Sequence, residues 1–329
     1  MTTGGRLRLG FQVWSQYVSW SELMAVGREI DELGFDELWS NDHLLPQAAG
    51  GAGSLGELQG PVFEGWSILF GWAGITHRVR MGCLVSGAAY RNPGLLAKMA
   101  TALDHATGGR AVLGLGAGWF EREHDAFGYA FPPVGRRLDR LGDAAAICRG
   151  LLDGGSVTHD GEWFSARDAR NDPPPVQTRL PIAIGGSGEK RTLRIVAEYG
   201  DIWNADQDDP ESFRRRNGIL DGHCDAVGRD PAAIERTAGL AAPCIRPTRD
   251  EAVEVLAGIL RHQAIPPDEA LRIATGSPFT GPVNVVVDEL RRYQEAGLSA
   301  AIFDWPAPFD RITLEAMAGP VRKALSEGD

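Results

Sequence analysis

The sequence has few cysteines and no long apolar run. Its four cysteines are Cys83, Cys148, Cys224 and Cys244, and no two of them have C-x-x-C spacing. In so long a chain a disulfide framework is not expected, and we predict reduced, mostly buried thiols. No run approaches the ~20 apolar residues of a membrane span, and the N-terminus lacks a basic-then-apolar signal pattern. We therefore expect a cytoplasmic protein without a membrane anchor.

Positive charge is also scarce. The 33 Lys and Arg residues are outnumbered by 44 Asp and Glu residues, which gives a formal net charge of −11. A chain of this sign does not favour nucleic acid or an anionic membrane surface as a partner. Its hydrophobic content of 43% is ordinary for a globular protein.

Several catalytic signatures are missing as well. There is no G-x-S-x-G turn, which argues against a serine hydrolase. The histidines show no metal-type pairing with cysteine or carboxylate, so no metal site is predicted. Gly114, Gly116 and Gly118 do not have the dinucleotide-binding spacing, and no acidic partner follows ~20 residues later.

The pattern of residues 79–119 predicts a strand–helix–strand unit around which the rest of the chain is organised. The apolar run 79–86 predicts a buried strand, and Pro93 suits the first turn of a helix. Gly108 ends that helix, and residues 111–115 return as a second strand. Two strands joined by one helix run parallel, and ligands bind at the carboxyl ends of parallel strands.

Similar alternation continues along the chain. Strands are predicted at residues 7–13, 35–39, 79–86, 111–115, 181–184, 201–204, 236–245 and 300–304. Helices are predicted at 21–33, from 93 to the Gly108 stop, at 135–152, after 192, and at 210–227, 248–261, 281–296 and 310–325. This order favours a (β/α)8 TIM barrel over a doubly wound sheet with a second domain, because no linker or composition break divides the chain.

We predict one domain over residues 1–329, with insertions at the C-terminal face at about 46–61, 155–180 and 262–281. The first is rich in Gly, Ala and Gln, and its length is typical of a lid. The second contains a β-hairpin with an Asp160-Gly161 turn. The third is predicted to be irregular.

Two segments at the predicted carboxyl ends could carry chemistry. His43 follows Asp42 after the second strand, where an imidazole can exchange a proton near neutral pH or simply organise the loop with Asp42. Gly185-Gly186-Ser187-Gly188 precedes a helix, an arrangement that binds phosphate but also serves tight turns. The nearby cations Lys190, Arg191 and Arg194 could add positive charge to a phosphate site.

Two tryptophans and two glutamates after strands can be explained by structural roles. Trp14 and Trp119 follow strands and could flank a planar ring or pack against the core. Glu123, like Glu121, is explained by its place at the start of a helix and needs no catalytic role.

Four stretches carry a family resemblance: DELWSNDH (36–43), YRNPGLLAKMATALDHATGGR (90–110), GLGAGWFEREHDAFG (114–128) and PIAIGGSGEKRTLRIVAEYGDIWN (181–204). On these the chain resembles the bacterial luciferase-like monooxygenase superfamily, in particular its deazaflavin (coenzyme F-420, here F420)-dependent oxidoreductases. The resemblance implies a ring bound in the barrel mouth, a phosphate tail reaching outward and hydride transfer to or from a small organic substrate. It also implies a homodimer, with a separate cofactor reductase as a further partner.

The resemblance also implies site residues. His43 is the expected proton-transfer residue, and Cys83–Leu84 is the expected non-prolyl cis peptide bond behind the ring. The expected cofactor-binding residues are Asp42, Cys83, Leu84, Ser86, Ala117, Gly118, Trp119, Arg122, Gly185, Gly186, Ser187 and Gly188.

One departure from the family pattern bears on the substrate. In the glucose-6-phosphate dehydrogenase branch a catalytic glutamate stands where this chain has Trp119, and an asparagine where it has Arg122. Sugar-phosphate oxidation is therefore not expected, and Trp119 favours an apolar pocket for an organic carbonyl, alkene or heteroaromatic compound. Two alternatives remain open: a reduced-FMN-dependent monooxygenase, and a non-catalytic flavin-binding or carrier protein.

Overall fold

The computed structural model describes residues 6–47 and 59–327. Its strands are β1 (Arg8–Val13), β2 (Glu37–Ser40), β3 (Arg80–Cys83), β4 (Ser86–Gly87), β5 (Leu113–Gly116), β6 (Val157–Asp160), β7 (Ser165–Ala169), β8 (Ile182–Gly185), β9 (Ile202–Asp206), β10 (Glu235–Leu240), β11 (Cys244–Ile245), β12 (Thr280–Gly281) and β13 (Ala300–Trp305). Its α-helices are α1 (Trp20–Glu32), α2 (Gly65–Ala73), α3 (Pro93–Thr107), α4 (Glu121–Phe127), α5 (Val134–Leu152), α6 (Thr192–Tyr199), α7 (Pro210–Val227), α8 (Arg249–His262), α9 (Pro267–Gly276), α10 (Val283–Glu295), α11 (Arg311–Ala316) and α12 (Arg322–Ser326).

The parallel strands close into a barrel. Within the described residues they form one sheet in the order β3-β2-β1-β13-β10-β9-β8-β5-β4. The end strands β3 and β4 are consecutive pieces of one barrel strand, separated only by Leu84 and Val85. The sheet closes where Met81 bridges Ala111 in parallel. The predicted (β/α)8 barrel is therefore confirmed.

Local sequence signals explain several helix ends. Asn92 caps α3 through a bond from the Gly94 N–H, Pro93 occupies the first turn, and Gly108 ends the helix at φ +64°. Helix α8 begins with a capping box between Thr248 and Glu251. Such caps satisfy backbone groups that the helix itself leaves unpaired.

Three parts of the expected element order were wrong. Residues 262–281 are not irregular, because they contain α9, with Pro267 in its first turn, and β12. The expected strand 236–245 divides into β10, in the barrel, and β11, which pairs with β12 instead. The expected helix 310–325 is interrupted by a π-helical segment, Met317–Val321, at Pro320, whose ring cannot follow regular α-helical bonding.

The remaining insertions are partly described. β6 and β7 form the expected antiparallel hairpin, but Asp160 pairs with Ser165, so the turn consists of residues 161–164 and not of Asp160-Gly161. Of the expected lid at 46–61, residues 48–58 lie outside the described residues. Its two flanks meet at one place, since the Gln16 side chain exchanges two 2.8 Å hydrogen bonds with Gln47 and the Tyr17 N–H donates to Pro61 O.

The barrel interior has distinct layers. An apolar cluster fills its middle, and its members come from strands around the whole barrel: Trp39, Leu84, Val112, Ala183, Ile202 and Ile302. Below it, Arg80 bridges Glu37 and Glu235. The larger apolar core lies between the outer faces of the strands and the helices.

The described parts of the chain were searched for membrane-spanning helices and for groups of metal ligands. No helix there is both long and apolar enough to cross a membrane. Within the same parts, no three His, Cys, Asp or Glu side chains are grouped so as to hold a metal ion.

Candidate active site

Glycines line one side of the barrel mouth, at the carboxyl ends of β5 and β8. A Cβ atom on Gly116 would lie 2.5 Å from the Val85 Cγ2 atom, and one on Gly185 would lie 3.0 Å from it. Val85 therefore occupies space that side chains at these two positions would fill. The main chain at Val85 and its side chain therefore form a bulge that packs against these two glycines. The bulge has a shape suited to support a flat ring.

This bulge contains a non-prolyl cis peptide, but one residue later than expected. The cis bond joins Leu84 to Val85, so the prediction of Cys83–Leu84 was wrong. The Leu84 N–H still donates to Ser40 O at 2.8 Å, which keeps Leu84 in register with β2. The chain leaves the ladder only after Leu84, whose carbonyl accepts a hydrogen bond from the Gln12 side-chain amide.

His43 is held at the mouth by Glu123. Its Nδ1 atom lies 3.2 Å from Oε1 and 3.3 Å from Oε2 of a carboxylate that is fully buried. The His43 side chain itself remains 15% exposed. The loop after β2 and helix α4 are thus joined through this pair.

Both carboxylate oxygens of Glu123 accept further hydrogen bonds. The Tyr90 hydroxyl donates to Oε1, and the backbone N–H groups of Leu44 and Leu45 donate to Oε2. Burial alone would raise the pKa of Glu123, but the bonds from His43, Tyr90 and Leu44 outweigh it and hold that pKa below its ordinary value. Glu123 is therefore a carboxylate that only accepts hydrogen bonds, so the hydrogen between it and His43 belongs to Nδ1.

Asp42 points away from the mouth into a buried polar cluster. Its carboxylate takes a bidentate pair of bonds from Arg91, at 2.5 and 3.0 Å, and Arg91 also binds Glu64. The Ser86 hydroxyl lies beside Asp42 and accepts a 2.8 Å bond from Trp66 Nε1. Asp42 and Ser86 are buried behind the mouth, where they support the wall that carries His43.

Cys83 and Leu84 are likewise part of the wall. The Cys83 thiol is buried, bonded to the Ser40 hydroxyl at 3.2 Å, and burial raises its pKa well above the ordinary value. Cys83 is accordingly placed as a packing residue of the wall. Leu84 belongs to the apolar cluster inside the barrel.

The segment after β5 forms the rim above His43. Trp119 is 44% exposed, stacks on Phe120 at 5.1 Å and meets the His43 ring edge-on at 5.6 Å. Gly118 has a φ of +77°, and its carbonyl accepts a bond from Arg137. Ala117 precedes it half-buried at the mouth, and the half-buried Arg122 lies one turn away on α4.

The Gly185–Gly188 segment forms another part of the rim. Gly186 has a φ of +120°, and its N–H donates to Asn204 O at 3.0 Å. The backbone N–H groups of Ser187 and Gly188 donate to no acceptor among the described residues. Two cations expected to assist are already bound to carboxylates, Arg191 to Asp139 and Arg194 to Glu198.

The opposite side of the mouth is acidic. Asp304, on β13, accepts a 3.2 Å bond from Trp14 Nε1. Burial and the negative charge of Asp206 together raise the pKa of Asp304 to about 7, although the Trp14 bond acts against them. Trp14 is itself buried, so it supports this carboxyl group and does not project into the mouth as a free ring face.

Sequence reasoning missed Glu123, Tyr90 and Asp304. Glu123 lies 80 residues from His43 in the chain, and a carboxylate at a helix start has a sufficient local explanation. Asp304 does carry a signal, because a charged residue that ends an apolar parallel strand reaches the mouth of a barrel.

Comparisons with known proteins show the family to which the chain belongs. The family model described as luciferase-like monooxygenase matches residues 3–301, and the chain therefore belongs to that family. One relative is the "F420-dependent glucose-6-phosphate dehydrogenase" of Microbacterium testaceum, 29% identical over 68% of this chain. The matched segment spans only 58% of that relative's length.

Solved structures share the fold over nearly the whole chain. One is an "F420-dependent secondary alcohol dehydrogenase in complex with an F420-acetone adduct", with a TM-score of 0.80, 20% identity and coverage of 98% of this chain and 99% of that one. Another is a long-chain alkane monooxygenase, with a TM-score of 0.77, 16% identity and coverage of 99% and 92%. At these identities the likeness establishes the barrel fold alone.

Proposed function

We propose that the protein is an F420-dependent oxidoreductase that transfers a hydride between the deazaflavin and a small uncharged organic substrate. The observation that carries the proposal is the His43–Glu123 pair beside the glycine-walled mouth. The name of the Microbacterium relative supports the choice of cofactor.

The residues present fit such a cofactor. The bulge at Val85, which fills the space beside Gly116 and Gly185, would support one face of a flat ring. The N–H groups of Ser187 and Gly188, on a glycine-rich turn, would hold the phosphate. Trp119 would cover the ring edge and keep water away. The bound deazaflavin supplies or accepts the hydride.

His43 would handle the accompanying proton. Because Nδ1 is committed to Glu123, the proton is gained or lost at Nε2. Glu123 fixes the tautomer and direction of the ring, as a carboxylate does for a catalytic histidine in other enzymes. In ketone reduction His43 would donate the proton to the carbonyl oxygen, and in alcohol oxidation it would remove it.

The first test is a parallel titration of purified protein with F420 and with FMN, followed by fluorescence. Saturable binding that prefers F420 supports the proposal and justifies a screen of ketones and alcohols for turnover. Preference for FMN, with oxygen uptake driven by reduced FMN, would overturn it in favour of a monooxygenase. The alkane monooxygenase with the same fold makes this the second candidate function.

The role of His43 is tested by His43→Ala and His43→Gln. Both variants should bind F420 within about threefold of the wild type yet lose about 10²-fold or more in turnover, since general acid–base catalysis contributes on that scale. Unchanged turnover would remove His43 from the mechanism. Tight F420 binding without turnover over a broad substrate panel would favour the non-catalytic carrier instead.

We propose three accompanying properties on the family likeness: a homodimer, a cytoplasmic location and a separate enzyme that regenerates the cofactor. The dimer is tested by sedimentation equilibrium of the purified protein. A monomer at micromolar concentration would contradict it.

A further inference from the structure

A second space opens beside the barrel mouth, beneath α8 and α9. This side cavity has a volume of about 120 Å³ and is bounded by Trp14, Gln207, Ala242, Leu256, Leu260 and Asp304, among others. Its walls are mostly apolar, and Asp304 is the acidic group that faces it. An apolar cavity of ~150 Å³ holds one benzene ring, so the side cavity suits a short chain or a small ring and not a whole cofactor.

Asp304 meets only neutral partners there. Trp14 Nε1 donates to its Oδ1 atom at 3.2 Å and Gln207 Nε2 to its Oδ2 atom at 3.4 Å. No cation among the described residues forms an ion pair with it. Arg272 also borders the cavity, but its guanidinium binds Glu269, with Nε 2.6 Å from Oε2.

The charged surroundings of Asp304 add to this negative character. Asp206, on the neighbouring part of the mouth, acts on Asp304 by charge repulsion, and Asp208 acts likewise on Asp206. Asp208 is paired with Arg216, whereas Asp206 forms no ion pair with any residue that the structure describes. Above the pKa of Asp304, an incoming anion would meet like charge in a low-dielectric space.

We propose that the side cavity receives an uncharged arm of the substrate, and that Asp304 binds a hydroxyl or amide N–H on this arm and excludes arms that end in an anion. The substrate class is thus a neutral, largely apolar ketone or alcohol with a second hydrogen-bonding group a few carbons away. This inference rests on the proposed function, because the same molecule must exchange the hydride with F420.

The test uses protein saturated with F420 and two methyl ketones of equal length, one ending in a carboxamide and the other in a carboxylate. Their dissociation constants follow from the change in deazaflavin fluorescence. At about pH 8.5 the wild type should bind the amide at least ~10-fold more tightly, because like charges at close range are strongly disfavoured. At about pH 5.5, below the pKa of Asp304, this preference should fall to about threefold or less.

The variant Asp304→Asn should show the small preference at both pH values. Its amide keeps an oxygen for Trp14, so the variant should fold and bind F420 like the wild type. The matched control is Asp288→Asn, an equal change of charge on α10 at an exposed position. It should retain the full preference and its pH dependence.

The outcomes separate the two proposals. If the wild type fails to bind F420, the proposed function itself is wrong. If F420 binds but the two ketones bind equally, or neither binds, or Asp304→Asn keeps the wild-type preference, only the role of the side cavity is overturned.

Discussion

At the scale of single residues, Glu123 is the side chain whose replacement should be most informative. Glu123→Gln leaves the size of the side chain unchanged but removes the carboxylate that fixes the tautomer and direction of the His43 ring. We expect turnover to fall about 10²-fold with F420 affinity changed less than about threefold. Steady-state kinetics with a fluorescence titration of F420 would measure both.

Tyr90→Phe provides the matched comparison. It removes one donor to Glu123 and leaves the carboxylate and His43 in place. Its effect on turnover should therefore be much smaller than that of Glu123→Gln. Equal losses in the two variants would mean that the whole loop has moved, and would contradict a specific action of Glu123 on His43.

Prediction of which residues lie at the barrel mouth succeeded where one position carries its own signal, whereas the roles of these residues stay predictions. Glycines at 185–188 and the histidine after the second predicted strand are recognisable by type and place, and the structure puts both at the mouth. It failed where function depends on a partner far along the chain. Asp42 is adjacent to His43 in sequence, yet its carboxylate points to Arg91, while His43 pairs with Glu123.

At the scale of secondary-structure elements, Asp31 joins the end of α1 to the start of β3. Its carboxylate accepts three backbone hydrogen bonds, from His77, Arg78 and Val79, at 2.9, 2.7 and 2.9 Å. Burial works against them, but these bonds hold the pKa of Asp31 below its ordinary value. Asp31→Asn should therefore lower the free energy of unfolding by about 2 kcal/mol at neutral pH, since hydrogen bonds to a charged group contribute on that scale.

The pH dependence of this effect has a definite sign. A carboxyl group whose pKa is lowered by folding stabilises the protein above its unfolded pKa of about 3.9, and this contribution is lost as the pH falls through the folded pKa. The difference between wild type and Asp31→Asn in urea unfolding should thus be full near about pH 6 and shrink below about pH 4. Glu32→Gln, an adjacent exposed position, is the control, and a difference independent of pH would contradict the assignment.

The α8–α9 pair should behave as a separate packing unit. Its buried residues form a cluster distinct from the main core, and Leu256 is a buried member of that cluster. Leu256→Ala should cost about 2–5 kcal/mol locally, because a cavity is left in a packed cluster. Backbone amide hydrogen exchange should become faster in α8 and α9 but not in α3. The affinity for F420 should stay unchanged.

Leu271→Ala on α9 is the control, since its side chain is 47% exposed. It should leave exchange in both helices nearly unchanged. If Leu256→Ala makes hydrogen exchange faster throughout the barrel, helices α8 and α9 unfold together with the main core and are not a separate packing unit.

Element boundaries also show what local pattern can and cannot provide. Helix α7 begins and ends where the pattern places it, because Asp209 caps it and Gly228 ends it in the left-handed conformation. Helix α9 was missed although Pro267 is a legitimate first-turn residue, because the prolines and short apolar stripe of 262–281 also fit a loop. The split of β3 from β4 depends on packing against Gly116 and Gly185, which no local pattern contains.

At the scale of the whole molecule, the alternation of strands and helices was enough to predict the barrel, because right-handed parallel crossovers leave few other arrangements. Closure of the sheet into a barrel could not be predicted from any single segment of the sequence. It requires the first part of the third barrel strand to meet the fourth at Met81 and Ala111, and the charged side chains at the lower end to be compensated inside the barrel.

That lower end provides the last prediction. Arg80 Nη2 lies 2.6 Å from Glu37 and 2.8 Å from Glu235, and Glu37 is almost fully buried. Arg80→Met should lower the free energy of unfolding by about 3 kcal/mol, because it leaves a buried carboxylate without its main partner.

Adding Glu37→Gln should restore much of the loss, since removing both charges avoids that penalty. Urea unfolding measures Arg80→Met, Glu37→Gln and the double variant, and F420 affinity should stay unchanged because the mouth lies at the opposite end of the barrel. If the double variant loses as much as the two single variants together, Arg80 and Glu37 act independently and the network does not hold the barrel closed.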